Sequence, residues 1–416
     1  MSSADSKDGW RGTILAGLAN YIDAGSIVAG SVALALWKDI YGLSDSFIGL
    51  IGAFSANAIS AGIGALVGGW LCDRYGRKRI YQYDMLFYAF GMLFLVFASA
   101  PWMIIAGFLL VGLAVGADIP ASWSLIAEQA PDKKRGAHSG VAQILWYLGP
   151  VVVLGAAYFL EPFGITGVRW IFAHLAILAL GLTFLRSRMR ESQRWEESRD
   201  ARGGTSASID WRQLFSPQYL RSMVYLIAMY GLWNLWAGYN GFFTPYLIEQ
   251  NNLPKWAATV LPASYFAIGM LSILTIFMTL SDRVNQRTLF GISAALHVVG
   301  MALLAIFGFT LEVVIIHIVI MGIAGGFGAQ SFFQLWSAEL FPTAIRSTAQ
   351  GATFAVVRVG LGIWSLAVPA LASADFKTLA WILTGFLVAS GLIGFVWAPR
   401  NEGKSLEQID AERRAA

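Results

Sequence analysis

The chain has 416 residues, 57% of them hydrophobic and only 13% charged, with 44 glycines and 16 tryptophans and a mean hydropathy of +0.61. A soluble domain carries about a quarter of its residues as charges, so a soluble globular protein is excluded and a polytopic membrane protein is indicated. The net charge of +4 would suit a nucleic-acid partner only if the basic residues gathered on one surface, and the single cysteine, Cys72, excludes an intrachain disulfide.

A helix needs roughly 20 apolar residues to cross a bilayer, and twelve such segments are predicted along the chain. The first nine residues are polar and of mixed charge. They lack the basic start and small-residue cleavage site of a signal peptide, so span 1 (11–37) is expected to be retained. Span 1 carries Asp23 near its middle, with Asn20 on the same helix face three residues earlier. An acid at mid-bilayer costs at least ~2.5–3.5 kcal/mol on insertion scales, which makes it a functional candidate by default. Span 2 (44–71) ends in the loop GGWLCDRYGRKR (68–79), which holds Asp73, Arg74 and Arg77. After span 3 (79–99), span 4 (101–128) contains GADIP (116–120) with a second intramembrane acid, Asp118, and ends on Glu128. Arg135 precedes span 5 (136–160), which carries Gln143; span 6 (166–187) closes the first set.

The stretch 188–217 is the only long polar break. It is predicted to link an N-terminal six-helix bundle (1–187) to a C-terminal one (218–398), with a polar tail at 399–416. Span 7 (218–248) carries Asn234, Tyr239 and Asn240, and span 8 (254–281) leads into Asp282 and Arg283. Span 9 (287–309) precedes span 10 (311–339), which contains glycine-rich GGFGAQ (325–330) and then Gln334, Trp336 and Glu339. Span 11 (343–372) has Arg346 near its start and Arg358 inside it, the third ionisable group expected near the midplane; span 12 (376–398) completes the set. Asn57, Trp233, Trp236, Tyr265 and Gln330 are further candidates to line a cavity, although such residues more often serve packing or helix–helix hydrogen bonds.

Of the 29 lysines and arginines, all but five lie at the N-terminus, in loops after even-numbered spans, or in the tail. The exceptions are Lys38, Arg169, Lys255 and Lys377 in the opposite loops and Arg358 within span 11. The positive-inside rule then puts both termini in the cytoplasm. Topology accounts for the basic residues, and no nucleic-acid partner is expected.

An internal repeat is visible. AEQAPDKKRGAHSG (127–140) aligns with AELFPTAIRSTAQG (338–351), sharing Ala, Glu, Pro, Arg and the final Gly. LCDRYGRKR (71–79) aligns with LSDRVNQRT (280–288), sharing Leu, Asp and Arg. The shared residues are mostly polar, lie at span ends and loops, and follow equal numbers of spans. Parallel repeats of this kind suit a transporter whose halves rock about a midplane site.

The 68–79 loop resembles the loop 2–3 signature of the major facilitator superfamily, with Gly69, Asp73, Arg74, Gly76, Arg77 and Lys78 in register. Glu128…Arg135-Gly136, Glu339…Arg346, the RESQRWEE run after span 6 and RNEGKSLEQI after span 12 are similar to its sugar porter branch and metabolite-transporting relatives, although Asn401 departs from the end signature. The resemblance implies an all-α integral membrane protein. Its twelve transmembrane helices would form two parallel-repeat six-helix bundles with cytoplasmic termini, as a monomer in the lipid bilayer of the cell (inner or plasma) membrane. It implies that Asp73, Arg74, Arg77, Glu128, Arg135, Asp282, Arg283, Glu339 and Arg346 form a cytoplasmic gate, made in one state and broken in another. The plainer alternative is that these arginines only set topology.

The resemblance also places spans 1 and 4 against the central cavity. Asp23 falls where many proton-symporting sugar porters carry an acid, so Asp23 and Asp118 are the expected proton-coupling residues. The span 4 arginine that partners that acid in such relatives is absent, the chain reading Gly107-Phe108 there. Arg358 takes the place of a substrate-contacting aromatic, Gln334 that of a span 10 tryptophan, and Asn234-Leu235 that of paired glutamines; only Gln143 and Asn240 match sugar-binding positions. Two readings of Arg358 stay open. It neutralises Asp23 or Asp118, or its planar fork binds a carboxylate substrate. The expected substrate-binding set is Arg358, Gln143, Asn20, Asn240, Gln334, Asn234, Trp336 and Tyr239.

GADIP resembles a pattern of metabolite and organic-acid relatives. The expected function is therefore secondary active transport of a small polar metabolite, an organic acid, in symport with protons. A sugar or polyol symporter and an uncoupled uniporter are the alternatives. A nutrient sensor on the same scaffold would be expected to carry a longer tail. No phosphate-binding loop, metal-ligand spacing or nucleophile–base set is visible, so neither a cofactor nor enzymatic activity is expected.

Overall fold

A computed structural model of the chain describes residues 3–55, 58–131, 134–189, 191–201, 211–251, 253–401 and 404–415; Asn57 lies outside them. Regular structure among these residues is entirely helical. Among the described residues, nine helical stretches are long and apolar enough to cross a membrane. One of them, Arg135–Ser187, runs 53 residues. It turns at Glu161–Phe163 and so holds both span 5 and span 6. Spans 3 and 7 are the helices Arg77–Val96 and Pro217–Gly238, whose arginines, tyrosines and amides dilute their hydropathy. The architecture is thus the twelve-span, two-bundle fold expected from the sequence, with both termini cytoplasmic. Large apolar side chains such as Phe87, Phe90, Trp170 and Phe184 are more than half exposed; they form the lipid-facing surface.

Helix breaks follow sequence signals and position the centre of the molecule. Span 10 stops at Gly326 and restarts at Ala329, within the glycine run. The hydroxyl of Ser331 donates to the freed Gly326 carbonyl at 3.0 Å, and the restart delivers Gln330 to the midplane. A π turn at Tyr239–Phe243 interrupts span 7, and a second at Ile273–Phe277 interrupts span 8. Such turns widen a helix locally and re-aim its side chains.

The bundles meet through span 2 against span 11 and span 5 against span 8. Gly69 and Gly351 bring spans 2 and 11 into backbone contact. A Cβ on Gly69 would stand 2.2 Å from the Ser347 carbonyl oxygen, and one on Gly351 would stand 2.1 Å from that of Ala65. Gly76 turns the chain between spans 2 and 3 at φ 102°, a conformation that L side chains resist. The carboxylate of Glu191 then accepts from the backbone N–H groups of Arg77 (3.1 Å) and Lys78 (3.0 Å) at the start of span 3, where the helix dipole favours an anion.

Candidate functional site

A small cavity lies between the bundles. Its walls include Ala24 and Ile27 of span 1, Trp146 of span 5, Tyr230, Trp233 and Asn234 of span 7, Gln330 of span 10 and Arg358 of span 11. The π turn of span 7 continues outward into a second pocket lined by Asn240, Thr244 and Tyr265. Arg358 is held inside the second bundle. Its guanidinium donates to Asn234 Oδ1 (3.0 Å) and the Tyr230 hydroxyl (3.4 Å), and lies over the Phe354 ring at 4.3 Å. Tyr230 donates in turn to Gln330 Oε1 (2.5 Å) and stacks on Phe333. A hydrogen-bonded wall therefore runs Gln330–Tyr230–Arg358–Asn234. On its cytoplasmic side the Gln143 amide donates to Gln334 Oε1 and ties span 5 to span 10.

Some expected substrate contacts lie elsewhere. Trp336 donates to Gln286 Oε1 at 2.6 Å and stacks on Phe332, inside the second bundle near its cytoplasmic end. Asn20 donates to the Ala142 carbonyl (3.2 Å) and joins spans 1 and 5. Tyr239 is buried at the start of the π turn and lines neither pocket. Tyr230 was not anticipated. An aromatic in an apolar span reads as packing, and only its place one turn before Asn234 marks it.

The cytoplasmic acids and arginines meet across the bundle interface. Asp73 accepts from the backbone N–H groups of Ser347 (3.3 Å) and Thr348 (2.7 Å), at the first turn of span 11. Arg77 reaches Asp73 (3.0 Å) and Glu128 (2.9 Å), and Glu128 also pairs with Arg346 (2.8 Å). Ser192 donates to Glu128 from the linker. The second repeat mirrors this. Asp282 accepts from the N–H groups of Gly136 (3.0 Å) and Ala137 (3.2 Å) at the first turn of span 5, and Glu339 pairs with Arg135 (3.2 Å). Burial pushes the Asp282 carboxyl above the usual aspartate range, partly offset by those two amides. Arg74 instead lies against the Trp70 and Tyr75 rings, and Arg283 is exposed.

The intramembrane charges differ from expectation. Asp118 pairs with Arg186, from the last turn of span 6, at 2.8 Å rather than with Arg358. The same Arg186 nitrogen lies 3.2 Å from Asp84 of span 3, and its guanidinium sits 3.4 Å from the centre of the Tyr81 ring. Asp23 is 2% exposed, and neither of its carboxyl oxygens has a hydrogen-bond partner. The charges in its electrostatic reach include Asp118, Asp84 and Arg186. Arg186 escaped the sequence reading because a cation at the end of a span counts with the loop, and Asp84 because it follows the basic loop by only two turns. Phe108 of span 4 packs edge-on to Trp37. Among the described residues no group of histidine, cysteine and carboxylate side chains is arranged to hold a metal.

With this geometry in view, similarity to known proteins is informative. The profile of the Major Facilitator Superfamily matches residues 12–365. The chain is 44% identical to the "Minor myo-inositol transporter IolF" of Bacillus subtilis over 96% of its own length and 93% of that protein's. It is 27% identical to the "Cis,cis-muconate transport protein" of Acinetobacter baylyi, covering 89% of this chain and 90% of the relative. In three dimensions it overlays on the proton:xylose symporter XylE bound to 6-bromo-6-deoxy-D-glucose with a TM-score of 0.84 at 18% identity, over 98% of this chain and 99% of the other.

Proposed function

The chain belongs to the major facilitator superfamily, and on that premise we propose that this multi-pass transporter of the cell membrane carries a neutral polyhydroxylated substrate, a cyclitol of the inositol class foremost, by alternating access. The observation that carries this reading is the 44% identity, over nearly the whole of both chains, to a myo-inositol transporter. The cavity chemistry supports it. Hydroxyl groups both donate and accept, and the wall offers the amides of Asn234 and Gln330 with the Tyr230 hydroxyl, backed by aromatic rings. The organic-acid expectation rested on the GADIP pattern and on Arg358 as a carboxylate clamp. Arg358 is instead engaged by Asn234, Tyr230 and Phe354, and the relative of high identity is named for a cyclitol. The test is counterflow of labelled myo-inositol by purified protein in liposomes, competed by hexoses, pentoses, linear polyols and dicarboxylates. Competition by cyclitols and sugars is expected. Competition by dicarboxylates alone would overturn the reading.

Asp73, Arg77, Glu128, Arg135, Asp282, Glu339 and Arg346 are then the cytoplasmic gate, closed in this conformation and broken when the bundles rock inward. A proton is the second cargo. Asp23 supports this, because a buried carboxyl with no hydrogen-bond partner is poised to be neutral. Asp23→Asn is expected to abolish pH-driven accumulation while leaving counterflow intact; accumulation by that variant would remove Asp23 from coupling.

A further inference from the structure

The cluster around Arg186 holds more acid than base. Asp23, Asp84 and Asp118 are three carboxyl groups, each at most 5% exposed, against one guanidinium. Leaving uncompensated charge in so enclosed a place is costly, so the group tends to neutrality by taking up protons. Asp118 makes the shorter contact with Arg186, 2.8 Å against 3.2 Å for Asp84, and is the ionised partner. The Asp84 and Asp118 carboxyls converge on the same Arg186 nitrogen, and the second oxygen of each has no hydrogen-bond partner. Two carboxyl groups brought together in this way can hydrogen-bond to each other only when one of them carries a proton.

We propose that Asp84 and Asp118 share a proton against Arg186, Asp84 donating to the Asp118 carboxylate, and that this pair is a second proton-binding site within the first bundle, distinct from Asp23. The other titratable groups facing it are few. Span 3 supplies Tyr81 beneath the guanidinium and Tyr88, whose hydroxyl donates to the Ile22 carbonyl at 2.9 Å. Span 2 supplies buried Cys72. When the shared proton leaves to water, two carboxylates face one arginine, and the excess negative charge lies in reach of Asp23. The pair therefore sets the alkaline limit of transport. This goes beyond the substrate reading and does not depend on which polyol is carried.

Asp84→Asn tests it without breaking the fold, because the asparagine amide can donate to Asp118 as the protonated carboxyl does. Infrared spectra of the purified full-length protein at neutral pH should show absorption by protonated carboxyl groups, one part lost in Asp84→Asn and a separate part in Asp23→Asn. Asp84→Glu, which retains an acid, should move the first part rather than delete it. Counterflow by Asp84→Asn should match wild type at neutral pH, with its alkaline limb displaced upward by about one pH unit or more, tenfold in proton activity. An unchanged carboxyl absorption in Asp84→Asn, or an unmoved alkaline limb, overturns the proposal. Loss of cyclitol exchange in the wild type would sink the substrate reading and leave the infrared result standing.

Discussion

In the first half of the cytoplasmic interface, Glu128 bridges Arg77 and Arg346 while Asp73 caps span 11; in the second, Glu339 pairs with Arg135 while Asp282 caps span 5. Each repeat thus lends an aspartate to the helix start of the other, and each glutamate takes the arginine of the other. Two positions break the symmetry. Arg77 of the first repeat corresponds to Gln286 of the second, which turns away to Trp336. Gly69 corresponds to Met278, so spans 2 and 11 touch through backbone, whereas the Met278 side chain fills the space over Gly140. Asp73 is fully buried and Asp282 only half-buried. The first half is fully buried and charge-dense, and the second has a half-buried aspartate and is padded by a flexible thioether. A duplicated scaffold can therefore concentrate its closing energy on one side.

The sharpest way to break that comparison is to remove one glutamate at a time. Glu128→Gln leaves the buried Arg346 without its carboxylate and Arg77 with Asp73 alone, and breaking a buried pair from one side costs about 3–5 kcal/mol. The closed cytoplasmic face should lose most of its population, with uptake down ~100-fold or more. Glu339→Gln leaves one arginine that still donates to the Lys404 carbonyl, at 2.6 Å, and should cost about 1–3 kcal/mol. Spin-label distances between spans 2 and 11 and between spans 5 and 8 report both. Equal opening by the two variants would erase the asymmetry.

A smaller contrast isolates packing from charge. Gly351→Ala drives a Cβ to 2.1 Å from the Ala65 carbonyl oxygen, and backbone cannot step aside. Overpacking of this kind costs roughly 1–3 kcal/mol, and the closed state alone should bear it. Gly140→Ala meets the Met278 side chain at 2.3 Å, which can rotate away. Its effect on the same distances should be well below that of Gly351→Ala. Closure unaffected by Gly351→Ala would show that the backbone contact between spans 2 and 11 is dispensable.

These contacts were legible in the sequence to different depths. The repeat and the cytoplasmic acid–arginine contacts could be read because their residues are polar, lie in loops, and recur after equal numbers of spans; polar residues there have few roles to choose between. Gln330 and Asn234 were legible as rare amides in apolar helices. Arg186 and Asp84 were not, because boundaries drawn from hydropathy move a terminal charge into the loop, whereas the fold draws it a turn deeper between spans 3, 4 and 6. Trp336 failed for the opposite reason. As an aromatic of span 10 it was expected to line the cavity, but its one donor is satisfied by Gln286 instead. The partner of Arg358 depends on tertiary contacts that no spacing encodes: Tyr230 and Asn234 are one helical turn apart, on a helix remote in sequence.

The least effect is expected from Asp282→Asn, and its sign is informative. Burial raises the Asp282 carboxyl above its ordinary value in the closed conformation, while an opened interface would return it to water. The conformation with the higher pKa binds the proton more tightly, so acidification toward the ordinary aspartate range favours closure, and at neutral pH the ionised group slightly opposes it. Asparagine should therefore leave the gate as closed as before or marginally more so, by less than about 1 kcal/mol for so solvent-screened a site. Distances between spans 5 and 8, followed as the pH is lowered, should tighten in the wild type and stay flat in Asp282→Asn. Opening of the interface by this variant at neutral pH would mean that the carboxylate's hold on the Gly136 and Ala137 amides outweighs its burial, and the second half of the gate would then be as charge-dependent as the first.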